Sequence, residues 1–211
     1  DAYLAVVFIT DEDDCSAKKT NLFDPNQNQI NDPLGPLTSF RCFEFGIQCE
    51  CPGGKCNRTM VGPRKNCKPG FDWLYKVEDY AKFFKGLKKQ PGRVIMFSIA
   101  GPTDKVEVSM DGQNPTLRPS CQTFMGRAVP GIRIKMLIDS FGKQGHFNEG
   151  TDGVNMLPVN ICSPDYSPAL KLLGQIIVAT LGGQCISSPP LTLNGGIACQ
   201  AGDDLGNGKT C

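Results

Sequence analysis

Two apolar runs, at residues 3–10 and 93–100, stand out among the first hundred positions. The first is continuous and rich in β-branched side chains, and both are typical of strands buried on both faces of a parallel sheet. Between them, apolar residues recur at helical spacing over positions 74–87, where Asp72 can cap the start and Pro91 ends the helix. A strand, a helix and a second strand in this order predict a parallel crossover unit.

Two more helices are predicted in the second half of the chain. The first has apolar positions at helical spacing over residues 132–141 and ends at Gly142. The second begins at Ser167, a good N-cap residue, and ends at Gly182. Residues 106–118 contain two short strand-like runs around a polar turn and predict an exposed hairpin.

Two regions lack any regular period. Residues 15–72 are rich in Gly, Pro, Asn and Cys, and an untied loop of that length is improbable, so we expect a disulfide-rich insertion. Residues 186–211 are rich in Gly and polar residues and form an irregular tail or the start of a further module. The organisation predicted is therefore one α/β region over residues 1–185, followed by the tail.

The chain contains 11 cysteines, spread over its whole length. Zinc knuckles need paired C-x-x-C units, and none is present, so disulfides in an oxidising compartment are favoured over zinc. The odd count leaves one cysteine free or bonded outside this chain, and the sequence does not give the pairing. The disulfide candidates are Cys15, Cys42, Cys49, Cys51, Cys56, Cys67, Cys121, Cys162, Cys185, Cys199 and Cys211.

Composition excludes several classes of function. Hydrophobic residues make up 40% of the 211 positions, which excludes intrinsic disorder, and the net charge of +1 makes nucleic acid an unfavoured partner. No apolar run approaches the length of about 20 residues that spans a bilayer, so no transmembrane segment is expected. With His146 as the single histidine and no nucleophile or phosphate-loop motif, we expect no enzyme activity. The start at Asp1 indicates a mature or cut product.

The order of these elements resembles the second half of a von Willebrand factor type A-like domain. Residues 8–11 (FITD) are similar to that family's fourth strand and the Asp after it, residues 97–101 to the next strand, and residues 165–181 to the last helix. Segments 7–16 and 39–46 resemble the cysteine-rich, secreted or lipid-anchored members of Gram-negative bacteria. The resemblance covers residues 1–185 and implies part of a doubly wound, mostly parallel, Rossmann-type sheet at the cell surface or in secreted form.

The sequence departs from that family at its metal site. The family's metal-binding loop, Asp-x-Ser-x-Ser, follows the first strand, and this chain starts just before the fourth. Asp165 and Ser167 begin a similar pattern, but Ala169 stands at its last position. The resemblance therefore implies that upstream sequence or an additional chain completes both the sheet and the metal site.

Asp11 is the metal-facing carboxylate that the resemblance implies, and Asp13 is the second candidate ligand, for Mg²⁺ or Ca²⁺. A solvated acidic turn and a local Ca²⁺ loop that includes Asp14 and Ser16 are the alternatives. Asp203, with its neighbours Asp204 and Asn207, is more typical of a polar turn. The function predicted is an extracellular adhesion or protein-binding module that uses a divalent metal to bind a protein or surface ligand. The alternative is a structural cell-envelope protein, used in surface assembly, with no working metal site.

Overall fold

The computed structural model describes residues 2–54, 56–70, 72–141, 159–181, 192–193 and 196–197. The chain divides into two compact units, Asp1–Ala169 and Leu170–Cys211. The boundary predicted at residue 185 lies outside the described residues and stays a prediction. Also outside them are His146, Cys185, Cys199, Cys211, Asp203, Asp204 and Asn207.

The structure is mixed α/β, as predicted. Its strands are β1 Leu4–Ile9, β2 Ile47–Glu50, β3 Gly62–Pro63, β4 Lys65–Pro69, β5 Val94–Ala100, β6 Glu107–Asp111, β7 Asn114–Leu117, β8 Cys121–Gln122, β9 Arg127–Ala128, β10 Val159–Asn160, β11 Thr192–Leu193 and β12 Gly196–Ile197. Its α-helices are α1 Phe40–Gly46, α2 Val77–Gly86, α3 Ile132–Asp139 and α4 Ser167–Leu181, and short 3-10 turns span Thr20–Phe23 and Pro91–Arg93.

A three-stranded parallel sheet forms the centre of the first unit, in the order β1-β5-β10. β1 lies beside β5 over its whole length, from Leu4 opposite Val94 to Ile9 opposite Ile99. The short β10 pairs in parallel with the last two residues of β5. The two continuous apolar runs therefore form neighbouring parallel strands joined through α2, and the predicted crossover unit is confirmed.

Burial differs between the two long strands. All seven residues of β5 are buried, whereas β1 alternates between half-buried and exposed positions. Phe8, on the half-buried face of β1, meets Phe84 of α2 edge-on, with ring centroids 6.3 Å apart. The prediction of burial on both faces is right for β5 and wrong for β1, because only one face of β1 packs against the described helices.

α2 starts later than its apolar pattern predicts. The residue before its first turn is Lys76, so Asp72 does not cap the helix. The chain before α2 is extended instead, and it bonds to the segment after β1: Lys18 N–H donates to Trp73 O at 2.8 Å, and Tyr75 N–H to Ser16 O at 3.0 Å. These backbone bonds hold residues 73–75 out of the helix even though their side chains continue its period.

The remaining predicted elements are present with small differences. The hairpin forms from β6 and β7, with Gly112 in the left-handed region at φ 59° in its turn. α3 ends at Asp139, two residues before its predicted end. At the start of α4, the Asp165 carboxylate accepts the Ser167 N–H at 2.8 Å, so Asp165 supplies the cap expected of Ser167.

The insertion over residues 15–72 contains regular structure of its own. It holds α1, the antiparallel pair of β2 and β4, and β3, which pairs with β6 outside the insertion. Among the described residues, four disulfides are formed: Cys15–Cys42, Cys49–Cys67, Cys51–Cys56 and Cys121–Cys162. Three of these four lie within residues 15–72 and tie its segments to one another.

Candidate functional site at the carboxyl end of the sheet

The four acidic residues 11–14 leave the sheet at the carboxyl end of β1. Thr10 N–H still donates to Ile99 O at 3.1 Å, and Asp11 O then accepts Val129 N–H at 2.9 Å. The Thr10 hydroxyl donates to Glu12 O at 2.9 Å and closes a tight turn. The loop therefore sits at the edge where open α/β sheets place their ligand sites.

Asp13 is bound to the first turn of α3. Its carboxylate accepts the Arg133 N–H at 3.0 Å and the Ile134 N–H at 3.2 Å. These N–H groups have no partner inside the helix, and the positive end of the helix dipole favours an anion there. Burial of the carboxyl group raises the pKa of Asp13 to about 6, and the hydrogen bonds offset part of that rise. Both oxygens of Asp13 are thus already engaged by the protein.

Asp14 forms an ion pair with Arg133, whose side chain is only 1% exposed. Its Oδ2 accepts from Arg133 Nε at 2.9 Å and lies 2.9 Å from Arg133 Nη2, and its Oδ1 accepts the Ser16 N–H at 3.1 Å. Arg133 Nη2 also donates to Tyr75 O at 2.6 Å. No motif marks Arg133 in the sequence, although a charged residue between Ile132 and Ile134 is a signal for a buried ion pair.

Asp11 and Glu12 are the two acidic residues of the loop that face solvent. Burial and, secondly, the charge of Asp11 raise the pKa of Glu12, while Arg127 opposes the rise. Within the described ranges, no three His, Cys, Asp or Glu side chains are grouped so that they could hold a metal ion. The structure therefore places Asp11 and Asp13 in one loop but in different roles, and metal binding at either stays a prediction.

A cavity of about 380 Å³ lies beside this loop. Glu12 and Asp14 line one part of it, and the Cys15–Cys42 disulfide, Phe40 and Leu117 line the rest. The same end of the sheet is closed by a tight approach, since a Cβ on Gly101 would lie 1.8 Å from Val129 O. The carboxyl end is thus a packed junction of four chain segments with one apolar recess.

The outer edge of β1 is the second feature that bears on function. Among the described residues, β1 pairs with β5 and with no other strand. Ala5, Val7 and Ile9 form an exposed row on one face, with Val7 39% and Ile9 69% exposed. On β5, the residues in register with that row, including Phe97 and Ile99, are buried.

Comparison with protein-family models, with curated proteins and with solved structures gives no match. The A-domain resemblance therefore depends on the residues and the order of elements alone. No helix in the part of the chain that the structure describes is long and apolar enough to cross a membrane.

Proposed function

We propose that this chain is an extracellular protein-binding module with an A-domain-like, doubly wound sheet, and that it binds another polypeptide along β1. The observation that carries the proposal is the outer edge of β1, with which no strand in the described part of the chain pairs, beside its exposed row of Ala5, Val7 and Ile9. An open strand edge presents N–H and C=O groups to any extended segment, and edge pairing is a common mode of peptide recognition. The four disulfides support the extracellular location.

The occupant proposed is an extended segment of another chain with apolar residues at every second position. Thr10 N–H donates towards β5, and N–H groups alternate sides along a strand. The N–H groups of Ala5, Val7 and Ile9 therefore point to the free edge, where a new strand would accept them. Apolar side chains of that strand would extend the exposed row and remove its surface from water.

A second candidate function is metal-dependent adhesion at the carboxyl end of the sheet. The exposed Asp11 beside Glu12 favours it, because two neighbouring carboxylates repel each other and a Mg²⁺ or Ca²⁺ ion would relieve that repulsion. A carboxylate of the ligand would complete the coordination shell, and further oxygen ligands would come from sequence or chains outside the described residues. If neither edge pairing nor metal binding occurs, the structural cell-envelope function remains.

The test uses a capped peptide of alternating valine and threonine and follows amide hydrogen exchange in the protein. We expect protection of the Ala5, Val7 and Ile9 amides on addition of the peptide, equally with and without EDTA. Val7→Pro removes an outward N–H without removing a bond to β5, so it should abolish protection, whereas Val7→Thr keeps the N–H and should bind. Binding that needs a divalent ion would favour the second candidate. Unchanged exchange at saturating peptide, or equal binding by Val7→Pro, would overturn the edge proposal.

A further inference from the structure

The outer surface of α2 carries a strip of aromatic and aliphatic side chains. Phe83 is 60% exposed, and Leu87, one helical turn further along the chain, is 45% exposed. Tyr80 lies one turn before Phe83 and is half-buried, and its ring centroid is 6.5 Å from that of Tyr75, which is 46% exposed. A single exposed apolar residue is ordinary, but a row of them on one helix face is typical of an interaction surface.

Basic residues surround the end of this strip. Residues 82–93 contain four lysines and one arginine and no acidic residue, in a chain whose net charge is only +1. Lys82 and Lys89 are exposed. The two acidic residues of α2, Glu78 and Asp79, lie in its first turn, where the helix dipole favours a negative charge. The positive charge is therefore concentrated around Phe83 and Leu87.

One of the cations is held in place by the fold. Lys85 Nζ donates to Ser140 O at 2.5 Å and lies 5.1 Å from the centroid of the Phe141 ring. A backbone carbonyl and an aromatic ring are both neutral, so these contacts position the ammonium group without cancelling its charge. The patch thus combines a fixed cation with the exposed Lys82 and Lys89.

The combination of the two features selects the partner. An acidic polymer would need only the cations and would leave Phe83 and Leu87 in water. The nearby cavity between β1, α2 and α3 is lined by Tyr80 and Phe84 but not by Phe83 or Leu87, so these two side chains project from the surface rather than line a groove for a peptide. An anionic lipid surface accepts both kinds of group, because apolar side chains enter the boundary of the acyl chains while lysine side chains reach the phosphates.

We propose that the outer surface of α2 binds an anionic lipid surface. Phe83 and Leu87 enter the headgroup boundary, and Lys82 and Lys89 contact the lipid phosphates. α2 covers the face of the sheet that contains Phe8, whereas the exposed row of β1 lies on the opposite face. Lipid binding therefore does not depend on the function proposed for the β1 edge.

Vesicle co-sedimentation of the full chain tests the kind of surface. The probes are vesicles of phosphatidylcholine alone and vesicles of phosphatidylcholine and phosphatidylglycerol in equal parts. We expect binding to the anionic vesicles at least about tenfold stronger than to the neutral ones, and weaker binding at high salt. Absence of binding to the anionic vesicles, or equal binding to both kinds, would overturn the proposal.

Two double variants test the location of the charge. Lys82→Gln combined with Lys89→Gln should weaken binding to the anionic vesicles about thirtyfold, since each lysine near such a surface contributes about one tenfold step or slightly less. Lys65→Gln combined with Lys68→Gln removes the same charge from exposed positions of β4 and should change binding by less than about threefold. Equal losses for the two double variants would show that net charge, and not α2, determines binding.

A second pair of variants tests the apolar contact. Phe83→Ser should weaken vesicle binding about fivefold, because part of the ring leaves water in the bound state. Phe124→Ser removes a phenylalanine that is 96% exposed outside α2 and should leave binding unchanged. Polyglutamate is the competing probe. If it binds as tightly as the anionic vesicles do, and equally to wild type and Phe83→Ser, the partner is an acidic polypeptide and the lipid proposal is wrong.

Discussion

The parallel sheet and the insertion over residues 15–72 are stabilised by different means. β5 is buried along its entire length, and its apolar side chains hold the sheet and its helices together. In the insertion, buried apolar residues are accompanied by arginine side chains that bond to several backbone carbonyls at once. The Arg41 side chain, 1% exposed, donates to the carbonyl oxygens of Leu22, Asp24, Gln27, Gly35 and Pro36.

Arg58 repeats this arrangement in the same region. It donates to the carbonyl oxygens of Ile30, Asp32 and Pro33 and forms an ion pair with Glu44 at 2.9 Å. An irregular segment has many backbone carbonyls that no strand or helix satisfies, and a planar guanidinium can satisfy several at once. The sheet is thus ordered mainly by removal of apolar surface from water, whereas in the insertion a few buried apolar residues, such as Leu22 and Phe40, are joined by disulfides and by hydrogen bonds that converge on arginine side chains.

The largest effect is expected from Arg41→Met. The variant keeps much of the side-chain volume but leaves five carbonyl oxygens without their donor, three of them in buried contacts, and we expect a loss of about 3–5 kcal/mol in the free energy of unfolding. Urea denaturation followed by circular dichroism measures it. Arg118→Met is the control, because the side chain of Arg118 is 58% exposed and its ion pair with Glu107 spans 3.4 Å, so it should change stability by less than about 0.5 kcal/mol. Similar losses in the free energy of unfolding for the two variants would mean that the hydrogen bonds of Arg41 do not stabilise the insertion.

The disulfides of the insertion should contribute according to the loops they close. Replacing both Cys15 and Cys42 by serine opens a loop of 27 residues and should cost about 3.5 kcal/mol on the chain-entropy estimate. The same change at Cys51 and Cys56 opens a loop of 5 residues and should cost about 2 kcal/mol. Thermal and urea unfolding of the two double variants gives the comparison. A larger cost for the shorter loop would mean that local contacts, rather than chain entropy, determine the contribution.

Asp13 should make stability depend on pH at the junction of β1 and α3. Its pKa is raised from 3.8 to about 6, so the folded state holds a proton more tightly than the unfolded state. The contribution of this group is therefore most favourable below about pH 4 and is lost as pH rises through about 6, a change of up to about 3 kcal/mol. In Asp13→Asn, this part of the dependence of the free energy of unfolding on pH should disappear.

The measurement is the free energy of unfolding of wild type and Asp13→Asn at several pH values between about 4 and 7. The free energy of unfolding of the variant, relative to that of the wild type, should increase as pH rises. Asp104→Asn, at an exposed position, is the control and should keep the wild-type slope. Parallel curves for wild type and Asp13→Asn would show that the hydrogen bonds from α3 outweigh the burial of the carboxylate.

The smallest effect on stability is expected from Asp11→Asn, within about 0.5 kcal/mol, because its carboxylate is exposed at a strand end. If Asp11 contributes to a metal site, titration calorimetry with Mg²⁺, Ca²⁺ and Mn²⁺ should show weaker binding by this variant. Asp111→Asn, also exposed, should bind as the wild type does. Equal affinity of all three proteins would exclude Asp11 as a ligand and favour the structural alternative.

The elements that the sequence predicted well are those with a repeating apolar pattern or a distinctive residue type. β1, β5 and the hairpin of β6 and β7 follow from such patterns, and the cysteines marked the insertion as disulfide-tied. The role of Arg41 was not predicted. Its partners are backbone carbonyl oxygens, which every residue has, so no sequence pattern marks these contacts. The bond from Asp13 to α3 escaped because 120 positions separate the carboxylate from Arg133 N–H.

The Cys121–Cys162 disulfide closes a covalent ring across 41 positions of the chain. Each end of that ring lies at a strand pair. Cys121 lies in β8, which pairs with β9, and Cys162 follows β10, which pairs with β5. A protease that cuts one peptide bond inside the ring would therefore produce two fragments that stay together until the disulfide is reduced.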